Sequence, residues 1–192
     1  MKNNIQPFSY QQSSHSCWIV SFHNAMMAIY GTSYKVPHDM SKLFYNISSD
    51  DGVSNRDMET ILKHVRDRNR LKIVSFKKKH INRKIIRRHL KKNNTVMICD
   101  INSGKHSVLV TDIQEDELIA FDPDWDSVMT GDHYKKKFTC CPYGDEEKNL
   151  LNPNHNVSIK IDHLLKDPIH KKDKFVMGDV SKRHVAFISK LK

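Results

Sequence analysis

Residues 95–121 read TVMICDINSGKHSVLVTDIQEDELIAF, and this stretch decides the fold. Thr95 to Cys99 is short, apolar and rich in β-branched side chains, which suits a pleated, buried surface. His106 to Ile113 and Glu117 to Phe121 follow as two further strands, separated by the polar turn Gln114-Glu115-Asp116. A turn that short brings the second strand back beside the first, so the sheet it starts is antiparallel. Asp122-Pro123 ends the hairpin and brings residues 119–123 back toward the His106 end.

Upstream of Asn93-Asn94 the apolar spacing is helical. Trp18, Ile19, Phe22, Ala25, Met26, Ile29 and Tyr30 recur at offsets that predict a largely buried helix over 17–30, with Gly31 as its stop. Met40 to Asn46, with Leu43 and Phe44 on one face, predicts a second, short helix. Ser54 with Asp57 three positions later is a capping-box variant opening a third helix through Met58, Ile61, Leu62 and Val65. Leu71 to Phe76 suits a strand, and Ile81 to Lys92 a fourth helix. Downstream, residues 126–156 are rich in Gly, Pro, Asn and charge and read as a long loop or insertion. Val157 to Ile161, Asp162 to Leu165 and His184 to Ile188 supply a strand, a short helix and a closing strand. Helices first and strands second give an α+β domain, one unit over 1–192, with the helix at 17 packed on the sheet.

Composition narrows the classes. The chain has 192 residues, 38% of them hydrophobic, enough for one core. No stretch approaches the roughly 20 apolar residues of a membrane span, and the polar start Met1-Lys2-Asn3-Asn4 lacks a secretory apolar segment. The expectation is a chain cytoplasmic as synthesised, open to delivery by a specialised secretion machine. Four cysteines, two of them adjacent at Cys140-Cys141, do not make a disulfide framework, so a reducing compartment is the simpler reading. Despite 12 His there is no C-x-x-C and no H-E-x-x-H, so no metal or other cofactor is expected. The net charge of +10 comes largely from Lys77-Lys78-Lys79 and Arg83, Lys84, Arg87, Arg88, Lys91 and Lys92. With Ile81, Ile85, Ile86, His89 and Leu90 as a buried stripe, these read as a solvated face that attracts acidic partners, the alternative being a phosphate-binding face for nucleic acid or an anionic membrane. Aromatics are not interleaved with the bases, so no nucleic-acid partner is expected.

The reactive groups flank the same strands. Cys17 follows the polar run Gln11-Gln12-Ser13-Ser14-His15-Ser16 and opens the first helix, where unpaired N–H groups and the helix dipole stabilise a thiolate. His106 begins a core strand after Gly104, a residue that permits close backbone approach, and is the candidate base. Its rivals His15, His23 and His184 lack a downstream acid. Asp122 is the candidate to orient the imidazole, in competition with Asp124 and Asp126. A glutamine side-chain amide, from Gln11 or Gln12, could join the Cys17 N–H in holding an oxyanion.

These residues resemble the papain-like cysteine peptidases. Ser16-Cys17-Trp18 fits the last part of the papain signature, and Gln11 stands at the family's oxyanion position. The closer resemblance is to the small bacterial branch of double-glycine leader peptidases and effector proteases. That branch has Gln, five residues, Cys, an apolar helix closing on Tyr-Gly (here Tyr30-Gly31), a short Gly-x-His strand and then Asp-Pro. His106 lies about 90 positions after Cys17, against the roughly 130–150 of papain itself. The likeness extends over residues 8–126. Trp18 departs from the Gly usual in leader peptidases, and papain's Cys-Gly is replaced by Ser14-His15. The resemblance implies a papain-like α+β fold, a Cys17–His106–Asp122 triad with Gln11 in the oxyanion hole, and a peptide or protein substrate. The alternatives are a glutamine deamidase or transamidating toxin using the same triad, and a non-enzymatic basic binding module.

Overall fold

The computed structural model describes residues 8, 16–31, 53–68, 71–92, 94–124, 139–140, 155–167 and 175–191. Gln11, Gln12, His15, the helix expected at Met40–Asn46, Asp126 and most of 126–156 lie outside the described residues.

Among the described residues seven strands form one antiparallel sheet: β1 (Leu71–Lys77), β2 (Thr95–Ile101), β3 (His106–Gln114), β4 (Glu117–Phe121), β5 (Thr139–Cys140), β6 (Val157–Lys160) and β7 (His184–Lys190). Their spatial order is β1-β7-β2-β3-β4-β6-β5. The hairpin read from residues 106–121 is present, with a bulge between Val110 and Asp112. β7, last in sequence, lies between β1 and β2.

Helices cover both faces. α1 (Cys17–Tyr30) and α2 (Asn55–Arg68) lie on one, α3 (Arg83–Leu90) and the one-turn α4 (Ile161–Leu164) on the other. The α+β class expected from sequence is observed, with helix α1 seated on β2 and β3. Strand alternation allocates the core. Val96 and Ile98 of β2 join Ala186 and Ile188 of β7 under Trp18, Phe22, Ala25 and Met26 of α1. Met97, Cys99 and Ile101 face the other way, onto Ile86 and Leu90 of α3 and Leu164 of α4. Cover on both sides explains why β2 is buried along its whole length and reads as a continuous apolar run.

Local chemistry sets the helix ends. Ser54 Oγ accepts the Asp57 N–H and donates to the Asp57 carboxylate, which is the predicted capping pair. The fourth predicted helix is shorter than the 81–92 reading. Lys78–His80 form a 3-10 turn, Ile81 and Asn82 are extended, and Asn82 Oδ1 accepts the Ile85 N–H at 3.0 Å to start α3 at Arg83. Arg83 and Arg87 are drawn to Asp116, and Arg83 also to Asp162, which ties α3 to the β3–β4 turn and to α4. Within the predicted loop 126–156, Thr139–Cys140 form a two-residue strand on β6.

Candidate active site

α1 begins at Cys17 itself. Val20 N–H is bonded to Ser16 O at 3.0 Å, so the amides ahead of it have no intrahelical carbonyl, and no acidic residue stands in the first turn. Cys17 is a free thiol, 8% exposed. One turn on, Ser21 Oγ donates to Ser107 O at 3.1 Å. That buried bond fixes the helix against the first residues of β3, and so brings Cys17 to His106.

His106 sits between two partners. Its Nε2 donates to Asp122 Oδ1 at 2.7 Å, and the Cys17 side chain stands close enough to favour the charged ring. With Nε2 on the carboxylate, Nδ1 is the nitrogen left to face the thiol. The His106 side chain is 14% exposed and that of Asp122 is 1% exposed. Burial disfavours the imidazolium, but the hydrogen bond and charge of Asp122, followed by those of Cys17, outweigh it and raise the His106 pKa to about 10.

Asp122 is itself held from behind. Its N–H donates to Asn156 Oδ1 at 2.7 Å, and Asn156 Nδ2 donates back to Asp122 O at 2.8 Å. The Asp124 N–H donates to Asp122 Oδ1 at 2.8 Å, so Asp124 contributes a backbone donor to the residue it was expected to compete with. Asp122 Oδ2 is buried without a partner among the described residues. Asn156 was invisible in the sequence because it sits in an Asn- and Pro-rich stretch that reads as loop; its distance from Asp122 in the chain gave no signal.

The turn before His106 is also clamped. Asn102, Ser103 and Gly104 have φ of 53°, 60° and 81°, three left-handed residues in succession. Asn102 N–H donates to Val176 O at 2.7 Å, Ser103 N–H to Met177 O at 3.1 Å, and Ser103 Oγ accepts the Asp179 N–H at 3.2 Å. Gly178 is required here, since a Cβ would stand 2.4 Å from Ser103 Oγ. At Gly104 the reason differs from the expected close approach. A Cβ there would meet only Lys182 O at an ordinary 3.8 Å, and it is the positive φ that favours glycine.

The rival histidines separate. His184, expected to lack a downstream acid, has one upstream: its Nδ1 lies 3.4 Å from Asp100 Oδ2, and Asp100 Oδ1 accepts from Ser107 Oγ at 2.7 Å. The acid precedes His184 in the chain, so a search downstream misses it. Both side chains are nearly sealed, at 3% and 2% exposure, which suits a polar strut across β3, β2 and β7 rather than a group meeting substrate. His23 is half-buried on α1, and burial lowers its pKa. Cys99 is buried, and burial pushes its thiol well above the ordinary range.

Thus Cys17, His106 and Asp122 are brought together, while the oxyanion candidates Gln11 and Gln12 lie outside the described residues. No group of three or more His, Cys, Asp or Glu is arranged to hold a metal ion among the described residues. None of the described helices is long and apolar enough to cross a membrane.

No protein-family model matches the chain, and no curated protein matches it. Among solved structures it is similar to the peptidase domain of Streptococcus ComA, described as a bi-functional ABC transporter involved in a quorum-sensing pathway. The alignment covers 96% of this chain and 98% of that one, at 14% identity and a TM-score of 0.46.

Proposed function

We propose that the chain is a papain-like cysteine peptidase, hydrolysing a peptide amide through Cys17, His106 and Asp122. The observation that carries the reading is the His106 ring, bonded to a buried carboxylate through Nε2 and influenced by the thiol at a helix N-terminus. Nucleophilic catalysis needs this order of groups.

His106 Nδ1 takes the Cys17 proton, giving a thiolate–imidazolium pair flanked by the Asp122 carboxylate. The thiolate attacks the carbonyl carbon; a C–S bond forms and the carbonyl π electrons move to oxygen. The Cys17 N–H and the Gln11 side-chain amide hold that oxyanion. Collapse breaks the C–N bond, and His106 returns its proton to the departing amine. Water, deprotonated by His106, then cleaves the thioester and restores the thiol. The buried Asp122, gripped by Asn156, keeps Nε2–H engaged so that Nδ1 stays aimed at sulfur throughout.

The test is incubation with a peptide and protein pool, followed by mass spectrometry for new termini and an assay for ammonia. New termini that disappear in Cys17→Ala support the reading. Ammonia without new termini would transfer the same residues to side-chain deamidation, and neither product from protein whose Cys17 is reactive would reject amide hydrolysis.

A further inference from the structure

The basic segment is divided by the fold. Arg83 and Arg87 are engaged by Asp116 and Asp162, and Lys77 by Glu59. Lys72, Arg88, Lys91, Lys92 and Lys190 are exposed and have no carboxylate partner among the described residues. They come from β1, α3 with its following turn, and β7 and lie at one end of the sheet, Lys190 on the α1 side with its Nζ 5.4 Å over the Tyr30 ring. Lys72 pairs in register with Ser189, Ser189 with Thr95, and the Thr95 N–H is bonded to Lys92 O at 3.2 Å. His89 lies among them. Burial first, then the charges of Lys92, Arg88 and Lys72, lower its pKa, which marks the convergence of cations from two elements.

This is the end of the sheet away from the candidate active site. His106 pairs with Ile101, whereas the cations surround Thr95, six residues back along β2 and so about 20 Å away. One apolar side chain stands beside the cations: Leu191, next to Lys190, is 48% exposed. An open cavity of about 710 Å³ beside them has a mainly polar lining, with Lys91, Lys92, Asn94, Thr95 and Thr111 as well as Phe8. Asp112 is the carboxylate on that lining, and its Oδ1 accepts the Ile113 N–H at 2.7 Å.

We propose that this end docks the protein on an anionic phospholipid bilayer, with the cations at headgroup level, Leu191 dipping below them, and the candidate active site turned away from the membrane. The mixture of cations and apolar surface favours a bilayer over nucleic acid. A phosphate backbone has no use for an exposed leucine, and single strands are held by exposed aromatic rings. The aromatic residues closest to these cations, Phe76, Phe187 and Tyr30, are buried or half-buried. The apolar stripe of α3 faces the core, so attachment is mainly electrostatic and should weaken with salt.

The experiment is co-sedimentation of the full chain with phosphatidylcholine vesicles, with and without phosphatidylserine. Binding is expected only with phosphatidylserine, falling about fivefold for each cation removed. Lys72→Gln, Arg88→Gln, Lys91→Gln and Lys92→Gln together should lose it by several hundredfold. Leu191→Ser should weaken binding at every salt concentration, and Lys182→Glu, at the other end of the sheet, should leave it unchanged. If the fourfold variant does not fold by far-UV circular dichroism, the pair Lys91→Gln and Lys92→Gln serves the same comparison. The proposal is overturned if wild type ignores phosphatidylserine vesicles or if the charge variants bind as wild type does. It is equally overturned if single-stranded or duplex nucleic acid displaces the protein from vesicles at equal phosphate concentration.

Discussion

Replacing Asp122 by asparagine removes a charge while leaving the local hydrogen bonds formally intact. Asp122 Oδ1 accepts from His106 Nε2 and from the Asp124 N–H, while Oδ2 has no partner among the described residues. An asparagine oxygen can occupy the first position, and its NH2 then falls where nothing is lost. The His106 pKa, raised from 6.5 to about 10 against the opposing effect of burial, corresponds to roughly 5 kcal/mol in favour of the imidazolium. A hydrogen-bonded carboxylate accounts for about 1–3 pKa units of such a balance, so its loss should cost about tenfold to a thousandfold in the imidazolium-paired thiolate. Iodoacetamide at about pH 6 reads this without knowledge of the substrate, because an ordinary thiol is then mostly protonated and unreactive. Wild type should be alkylated first at Cys17, with buried Cys99 untouched as an internal control. Asp122→Asn should remain folded by far-UV circular dichroism, with its melting temperature lowered at acid to neutral pH, while alkylation and turnover fall by at least tenfold. Equal alkylation rates in the two proteins would refute the assigned role and return Asp124 to consideration.

Three further outcomes follow from the contacts around the site. Asn156→Ala strips the Asp122 peptide of both buried partners, at about 1–3 kcal/mol for each orphaned group; the melting temperature and turnover should fall together, and an unchanged pair of values would dismiss the clamp. Gly178→Ala drives a methyl group into Ser103 Oγ at a left-handed φ of 72° and should slow Cys17 alkylation, with partial recovery in the double variant Gly178→Ala/Ser103→Gly; no recovery would locate the damage elsewhere. Because the His106 pKa is raised on folding, its stabilising contribution should be complete below about pH 6.5 and lost as pH rises through about 10. Denaturant midpoints measured across that window should fall in wild type and flatten in Asp122→Asn, and parallel curves would contradict the ion-pair account.

The parts legible in the sequence were those with a local period. α1 shows Trp18, Phe22, Ala25 and Met26 at helical offsets, and β3 and β4 show a turn short enough to dictate antiparallel pairing. The neighbours of β7 were not legible. Its sequence is that of a buried strand, but nothing in it says that it lies between β1 and β2, since pairing over that separation is chosen by the whole core. The shortening of α3 depended on a side-chain cap at Asn82, which competes with helix at just the positions where the apolar stripe suggested it. Gly104 was noticed for one property of glycine and is there for another.

The candidate site depends most on what the sequence could not connect. Its recognisable residues lie within 8–126, the span of the resemblance, yet their geometry is set from beyond it. Asn156 holds the peptide of Asp122, residues 176–179 hold the left-handed turn ahead of His106, and His184 faces Asp100, which in turn accepts from Ser107 beside the base. All three supports are backbone clamps or buried polar bonds, the kind whose strength needs exclusion of water. They can form only after β6 and β7 have joined the sheet, because β7 gives β2 its second neighbour and β6 carries Asn156 to the end of β4. A motif can therefore identify the thiol, the imidazole and the carboxylate, while their alignment is a property of the completed sheet. That is why the residues with no place in the motif, Asn156 and Gly178, carry predictions as sharp as those for the residues within it.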